Sequence, residues 1–194
     1  MRHSPKLVGG ILIGGRSSRM GGLPKGNILI ANQTIIERTI ELLNDVCSDI
    51  YLLGDSPAYA HLKVTMLPDE IVGGGPLCGI ASLLNHVKRD VVVVACDLPN
   101  LNTVTLTRLT NEPRNVPVAC STLRRRHPLI SCWRYADVEI VEKGAREGAS
   151  VHSVFQALGG RWIKFENEEV FKNLNTSEEL RGYQESGGLL SQDI

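Results

Sequence analysis

Five consecutive apolar residues, 91–95, constrain the fold most strongly. A strand that is apolar at every position has to be buried on both faces, as in the middle of a parallel sheet. Similar short runs at residues 7–13, 50–53 and 64–67 alternate with segments of helical period. This alternation is typical of βαβ units, so the sequence predicts a three-layer α/β fold with a mostly parallel central sheet flanked by helices.

Local signals place the helices between these strands. Thr34 and Glu37 have the spacing of a capping box, which predicts the start of a helix. The apolar positions of this first helix are Ile36, Ile40, Leu43 and Cys47, and those of a second helix after residues 73–76 are Leu77, Ile80, Leu84 and Val87.

The second half of the chain has a less regular pattern. Strands are predicted at residues 116–121 and 129–133, on either side of a basic turn at 123–128. Two helices, a late strand at 162–165 and a last helix capped by Thr176 or Ser177 are expected to follow. A chain of 194 residues suits one domain, which we place at 1–194 with a core at about 7–183 and a frayed tail at 186–194.

Charge and cysteine content exclude several classes of protein. The 21 Lys and Arg balance the 21 Asp and Glu, so no global positive field exists to bind nucleic acid or an anionic membrane. The five cysteines form no C-x-x-C pair and are predicted to be reduced core residues. Because the sequence has no signal-peptide pattern and no run of eighteen apolar residues, we expect a cytoplasmic protein.

Unusual residues follow three of the predicted strands, where open α/β sheets bind their ligands. The first is a glycine-rich loop at 14–25 with serines, two arginines and Lys25, a composition suited to a polyphosphate. The second is Asp69 with the glycines at 73–75, and the third is Asp97, a carboxylate able to hold a divalent cation. Each also has an ordinary structural interpretation: a solvated loop, a plain glycine turn or an Asp that caps a turn.

The basic run at 124–127 and the five histidines offer weaker candidates. Three arginines beside His127 could attract an anionic acceptor, although such a run is more often a solvated hairpin tip. His127 could be a general base or a structural residue. The remaining histidines lack the spacing of metal ligands, and the sequence contains no G-x-S-x-G nucleophile elbow.

The order of these motifs is more informative than any one of them. L-I-G-G-R-S-S-R-M-G-G-L-P-K-G at residues 12–26 is followed by P-D-E, G-G-P-L-C-G-I, C-D-L-P, H-P-L and N-L-N-T-S-E-E-L. This order resembles the MobA-like family of molybdenum cofactor guanylyltransferases over residues 7–181, nearly the whole chain. The resemblance implies a Rossmann-like nucleotidyltransferase fold.

The resemblance also implies a role for each matching residue. Leu12, Ile13, Gly14 and Gly15 would form part of the nucleotide pocket, and Asp69 would contact the nucleoside. Arg19 and Lys25 would neutralise the terminal phosphates, and Asp97 would bind Mg²⁺, which makes Arg19, Lys25 and Asp97 the candidate catalytic residues. The acceptor half would be formed by Gly75, Pro76, Leu77, His127, Asn173 and Asn175.

The implied reaction is transfer of GMP from GTP to the terminal phosphate of molybdopterin, with release of pyrophosphate. The family usually has Ala where this chain has Ile13, and some members have Asn near the position of Leu53. Pro24 before Lys25 matches relatives that use CTP. A cytidylyltransferase, another phosphate acceptor and a non-catalytic nucleotide-binding module therefore stay open as alternatives. The resemblance further implies transient contact with cofactor-biosynthesis or acceptor proteins and leaves the oligomeric state open, with a monomer slightly favoured.

Overall fold

A computed structural model describes residues 7–14, 24–30, 32–71, 73 and 75–174 of the chain. Within them a seven-stranded sheet has the order β5-β4-β1-β6-β8-β7-β9, and β2 and β3 form a separate two-stranded ribbon. The strands are β1 (Leu7–Leu12), β2 (Leu29–Ile30), β3 (Gln33–Thr34), β4 (Cys47–Leu53), β5 (Thr65–Leu67), β6 (Val91–Ala95), β7 (Val118–Ser121), β8 (Arg126–Trp133) and β9 (Arg161–Lys164). The helices are α1 (Ile35–Val46), α2 (Pro76–Val87), α3 (Thr103–Asn111), α4 (Val138–Arg146) and α5 (Val151–Ala157).

Helices cover both faces of this sheet, which confirms the predicted three-layer α/β fold. One face packs on α1 and α3 through residues such as Ile11, Val92 and Leu106. The opposite face packs on α2, α4 and α5 through residues such as Val8 and Val93. Successive valines of β6 therefore enter opposite core layers, and all are fully buried.

The sheet is mostly parallel, but the neighbours of β6 differ from the expectation. β6 is parallel to β1 on one side and antiparallel to β8 on the other. The predicted burial of residues 91–95 is thus confirmed, whereas the expected parallel neighbours are present on one side only. Burial on both faces depends on the covering helices and is insensitive to strand direction, so the valine run could not reveal the antiparallel neighbour.

The capping box predicted at Thr34 is present. Thr34 Oγ1 accepts a hydrogen bond from the Glu37 N–H at 3.3 Å, and Glu37 Oε2 accepts one from the Thr34 N–H at 2.9 Å. Cys47 was expected at the end of this helix, but it is the first residue of β4. Helix α2 begins with Pro76 in its first turn, after Gly75, whose φ of +105° is in the region that favours glycine.

The second half departs further from the sequence-based expectation. Helix α3 was not predicted, and the basic turn at 123–128 is shorter than expected because β8 begins at Arg126. The turn is closed by hydrogen bonds from the Thr122 N–H to Arg125 O at 2.8 Å and from the Arg125 N–H to Thr122 Oγ1 at 3.1 Å. The two later helices and the late strand are present as α4, α5 and β9, and the last helix, predicted after Thr176, lies outside the described residues.

Candidate active site

A cavity of about 720 Å³ opens at the carboxyl edge of the sheet. The ends of β1, β4 and β6 contribute Leu12, Leu53 and Ala95 to its wall. These strands are mutually parallel, so the chain leaves each of them at the same edge. A volume of this size accommodates a small organic ligand.

Lys25 and Asp97 form an ion pair in the wall of this cavity. The Lys25 ammonium Nζ lies 3.3 Å from Asp97 Oδ2, although the two residues are 72 positions apart in the chain. Their side chains are 28% and 13% exposed, so the pair is largely enclosed but still reachable from the cavity. The geometric core of the sequence-based hypothesis, a loop lysine and a strand-end carboxylate at one site, is present in the structure.

A tight turn holds Lys25 in this position. Residues Lys25–Asn27 form a single 3-10 turn, with hydrogen bonds from the Asn27 N–H to Pro24 O at 2.9 Å and from the Ile28 N–H to Lys25 O at 3.2 Å. Ile28 then packs into a small apolar cluster with Ile35 and Leu174. The lysine therefore extends from backbone that is anchored on its C-terminal side.

Asp97 is held by residues that follow the 3-10 turn Glu169–Phe171. The Asn173 side-chain amide Nδ2 donates to Asp97 Oδ1 at 2.9 Å, and the Leu174 N–H donates to Asp97 O at 3.1 Å. Each carboxylate oxygen of Asp97 is thus contacted by a donor, one from Lys25 and one from Asn173. This arrangement fixes the direction in which the carboxylate faces the cavity.

Apolar side chains form another part of the cavity wall. Ile13 and Leu53 line it, and the Ile13 N–H donates to Leu53 O at 3.1 Å, which continues the β1–β4 ladder beyond the strands. Gly79 on α2 also lies in the wall, where an added Cβ would be 3.0 Å from Leu53 Cβ and 3.4 Å from Asp69 Oδ1. Glycine thus allows helix, strand and Asp69 to approach one another.

Asp69 stands on the cavity wall, as its predicted contact with a nucleoside requires. Partial desolvation by its surroundings raises the pKa of the Asp69 carboxyl above its ordinary value. In its ionised form this carboxylate accepts hydrogen bonds from a ligand with N–H or O–H donors.

The structure places only some of the predicted acceptor residues at the cavity. Gly75, Pro76 and Asn173 line the cavity. Leu77, in the first turn of α2, is buried in the apolar core between this helix and the sheet. His127 lies on β8 and stacks on Phe171, with ring centroids 4.6 Å apart, and it is not among the residues that form the described wall.

Three predicted site residues, Gly15, Arg19 and Asn175, lie outside the described residues. Seven wall residues were not among the predicted site residues: Leu53, Tyr59, Gly73, Gly79, Ala95, Cys96 and Leu129. Cys96 was adjacent to a named residue and Leu129 began a predicted strand, so their neighbourhood gave a signal. Tyr59 lies in a stretch without strand or helix period, and nothing local in the sequence indicated it.

The described residues fit a magnesium ion held mainly by its substrate. Among them no cluster of three or more His, Cys, Asp or Glu side chains could enclose a metal ion alone. Mg²⁺ commonly takes one or two protein oxygens and completes its shell with phosphates and water. Asp97 offers such an oxygen at a position that already attracts a cation, Lys25.

Two further observations concern the whole of the described chain. All five cysteines are buried and free of disulfides, as predicted. None of the described helices is both long and apolar enough to span a membrane.

Comparison with known proteins gives concordant matches. The MobA-like NTP transferase domain model matches residues 9–162. A Clostridium perfringens protein named probable molybdenum cofactor guanylyltransferase is 33% identical over 141 residues, which cover 71% of each chain. The molybdenum cofactor guanylyltransferase of Yersinia pestis is 27% identical over 179 residues, 89% of this chain and 92% of that one.

A solved structure shares the fold. The crystal structure of molybdopterin-guanine dinucleotide biosynthesis protein A from Archaeoglobus fulgidus superimposes with a TM-score of 0.78 at 18% identity. The match covers 93% of this chain and 98% of that one.

Proposed function

The chain belongs to the MobA-like NTP transferase family, and from that premise we propose that it is a molybdenum cofactor guanylyltransferase. It transfers GMP from GTP to the terminal phosphate of a molybdopterin-type acceptor and releases pyrophosphate. The observation that carries the proposal is the contact between Lys25 and Asp97 inside a cavity at the carboxyl edge of a mostly parallel sheet.

The reaction needs positioning and charge neutralisation more than proton transfer. The acceptor phosphate is ionised at neutral pH, so its oxygen attacks the α-phosphorus in line without a protein base. The bond from the α-phosphorus to the bridging oxygen breaks, and its electron pair leaves with pyrophosphate. Lys25 stabilises the negative charge that grows on this leaving group, and Arg19 is proposed to act beside it.

Asp97 would hold the magnesium ion, because its carboxylate lies beside the lysine that binds the phosphates, and the Asn173 amide, which donates to Asp97 Oδ1, would orient that carboxylate. When bound, Mg²⁺ supplies Lewis-acid neutralisation of the phosphate oxygens. Leu12, Ile13, Gly14 and Asp69 form the nucleoside end of the cavity, and Gly75 and Pro76 lie toward the acceptor. The cytoplasm is the proposed location, which the five reduced cysteines support.

The choice of GTP is tested by calorimetric titration with GTP, CTP and ATP in the presence of Mg²⁺. We expect GTP to bind at least tenfold more tightly than the other two nucleotides, a ratio equivalent to one well-placed hydrogen-bond pair. Preferential binding of CTP, which the Pro24-Lys25 pair would match, would change the base and leave the chemistry unchanged.

Catalysis is tested separately by pyrophosphate release in the presence of a molybdopterin source. Nucleotide binding without any pyrophosphate release, with GTP, CTP or ATP, would identify a non-catalytic nucleotide-binding module instead. The titration and the release assay therefore separate the two alternatives.

A further inference from the structure

Tyr59 contacts the turn that carries Lys25. It ends the 3-10 turn Pro57–Tyr59 after β4, and only 1% of its surface is exposed. Its hydroxyl oxygen accepts a hydrogen bond from the main-chain N–H of Gly26 at 3.2 Å. Because Gly26 directly follows Lys25, this bond restrains the backbone from which the lysine side chain extends.

A second hydrogen bond and a close approach at Gly26 also hold the same segments in contact. The Asn27 side-chain amide Nδ2 donates to Ala58 O at 3.2 Å, beside the first hydrogen bond. A Cβ added at Gly26 would lie only 2.8 Å from Tyr59 Oη and 3.1 Å from Ile36 Cβ. The absence of a side chain at Gly26 therefore lets the turn rest directly against the tyrosine hydroxyl.

The same hydroxyl reaches the opposite side of the site. It interacts electrostatically with the Cys96 thiol, which lines the same cavity, and Cys96 directly precedes Asp97. Burial, and next the neighbouring Cys96, raise the pKa of Tyr59 well above its ordinary value. The phenol thus stays neutral and can accept from the Gly26 N–H while it donates its own proton toward Cys96.

We propose that Tyr59 is a positioning residue for the transfer reaction. Its single buried hydroxyl ties the Lys25 turn to the Cys96 and Asp97 segment and so sets the spacing between the ammonium and the carboxylate. This inference rests on the proposed function, in which both groups bind one triphosphate. A small displacement of either group lowers the rate, because transition-state stabilisation depends steeply on geometry.

Tyr59→Phe removes this hydroxyl and keeps the ring that lines the cavity. We expect kcat to fall about tenfold while the KM for GTP changes less than about twofold, because the charge that Lys25 neutralises grows toward the transition state. Hydrogen exchange of the Gly26 amide, followed by NMR, should be faster in this variant. Tyr51→Phe is the matched control, since it removes a tyrosine hydroxyl from β4 and should leave kcat and Gly26 exchange at wild-type values.

A double variant identifies the group through which Tyr59 acts. If the hydroxyl works through Lys25, adding Tyr59→Phe to Lys25→Ala should lower kcat no further. A full tenfold additional loss in that background would overturn the proposal, as would unchanged Gly26 exchange in Tyr59→Phe or faster exchange with unchanged kcat. Wild-type protein that releases no pyrophosphate with any nucleotide would overturn the proposed function. The exchange measurement would still show whether the Tyr59 hydroxyl restrains the Gly26 backbone.

Discussion

The two halves of the sheet use their polar side chains differently. In the half formed by β5, β4, β1 and β6, polar residues that follow the strands converge on one cavity, as Asp69 and Asp97 do. In the half formed by β8, β7 and β9, charged side chains pair on the surface. Arg161 contacts Glu112 at 2.7 Å, and the Arg126 guanidinium lies over the Trp162 ring at 5.2 Å.

Strand direction explains the difference. Parallel strands all end at the same edge of a sheet, so the residues that follow them are brought together without any further device. The antiparallel strand β8 instead ends at the opposite edge, and it carries Arg134 away from the cavity to pair with Asp137. In this half the turn between β7 and β8 and the segment after β9 lie at the cavity edge, and the second of these supplies Asn173.

The sharpest test of this contrast is removal of the two groups that meet in the first half. Asp97→Ala and Lys25→Ala should each lower kcat by about two or more orders of magnitude, because each removes an electrostatic contact to the reacting phosphates. Steady-state pyrophosphate release would measure the loss, and circular dichroism would verify that the fold survives.

Arg161→Ala is the matched control for these variants, because it breaks a closer ion pair in the second half. An exposed pair contributes little, so its kcat should stay within about twofold of the wild type. Similar losses in all three variants would remove the distinction between the halves.

The first half could be predicted from the sequence because each step was local. An apolar run predicts a buried strand, and a polar residue at its end predicts a position at the sheet edge, as for Asp97. Parallel topology then brings these positions together. These rules place the loop of Lys25 and Asp97 at the same edge of the sheet, and the family resemblance assigned both residues to one triphosphate, but neither gives their distance of 3.3 Å.

The second half required information that no local pattern contains. Helix α3 has the sequence TVTLTRLTN, and its threonines have low intrinsic helix propensity. It forms because Asn102 caps it, with a hydrogen bond of 2.9 Å from the Thr105 N–H, and because Leu106 and Leu109 are buried. Likewise, the register between β7 and β8 shifts between Ala119 and Cys120 of β7, an irregularity that no local pattern indicated.

Two contacts at the site that escaped prediction share one property: they connect distant parts of the chain. Tyr59 and Gly26 are 33 positions apart, and Asn173 and Asp97 are 76 apart. Hydrophobic period and capping signals act over a few residues, so they cannot reveal such contacts. The resemblance assigned Asn173 to the acceptor, and its hydrogen bond to Asp97 suggests a test of that assignment.

Asn173→Ala tests a contact between the two halves of the sheet. Asn173 follows β9 of the second half, and its amide donates to the Asp97 carboxylate of the first half. We expect kcat to fall about tenfold, with a higher Mg²⁺ concentration needed for half-maximal rate, since the Asp97 carboxylate loses the donor that orients it. Kinetics over a Mg²⁺ series would measure both effects.

Asn167→Ala serves as the control for that variant. Its side chain accepts a hydrogen bond from the Glu169 N–H at 3.0 Å on the exposed part of the same segment. A rise in the KM for the acceptor with unchanged kcat and Mg²⁺ dependence would favour the acceptor role instead.

The smallest expected effect is on the pH dependence of stability and involves His127 on β8. It tests whether partly buried polar groups of the second half affect the free energy of unfolding. Burial, and next the charge of Arg125, lower the pKa of His127 below the ordinary 6.5, against an opposing effect of Glu168. The unfolded chain therefore binds this proton more readily than the folded one. Below pH 6.5 the free energy of unfolding falls as the pH is lowered through the folded-state pKa.

His127→Phe keeps an aromatic ring against Phe171 and removes the titration. Between pH 7 and pH 5 its melting temperature should fall by about 1 to 2 °C less than that of the wild type, a difference typical of a fraction of a kcal/mol in a domain of this size. Leu123→Phe, an aromatic substitution at an exposed position of the turn before β8, should keep the wild-type slope. Equal slopes in all three proteins would mean that protonation of His127 costs the fold nothing, and the ring would then be free to carry charge toward an anionic ligand.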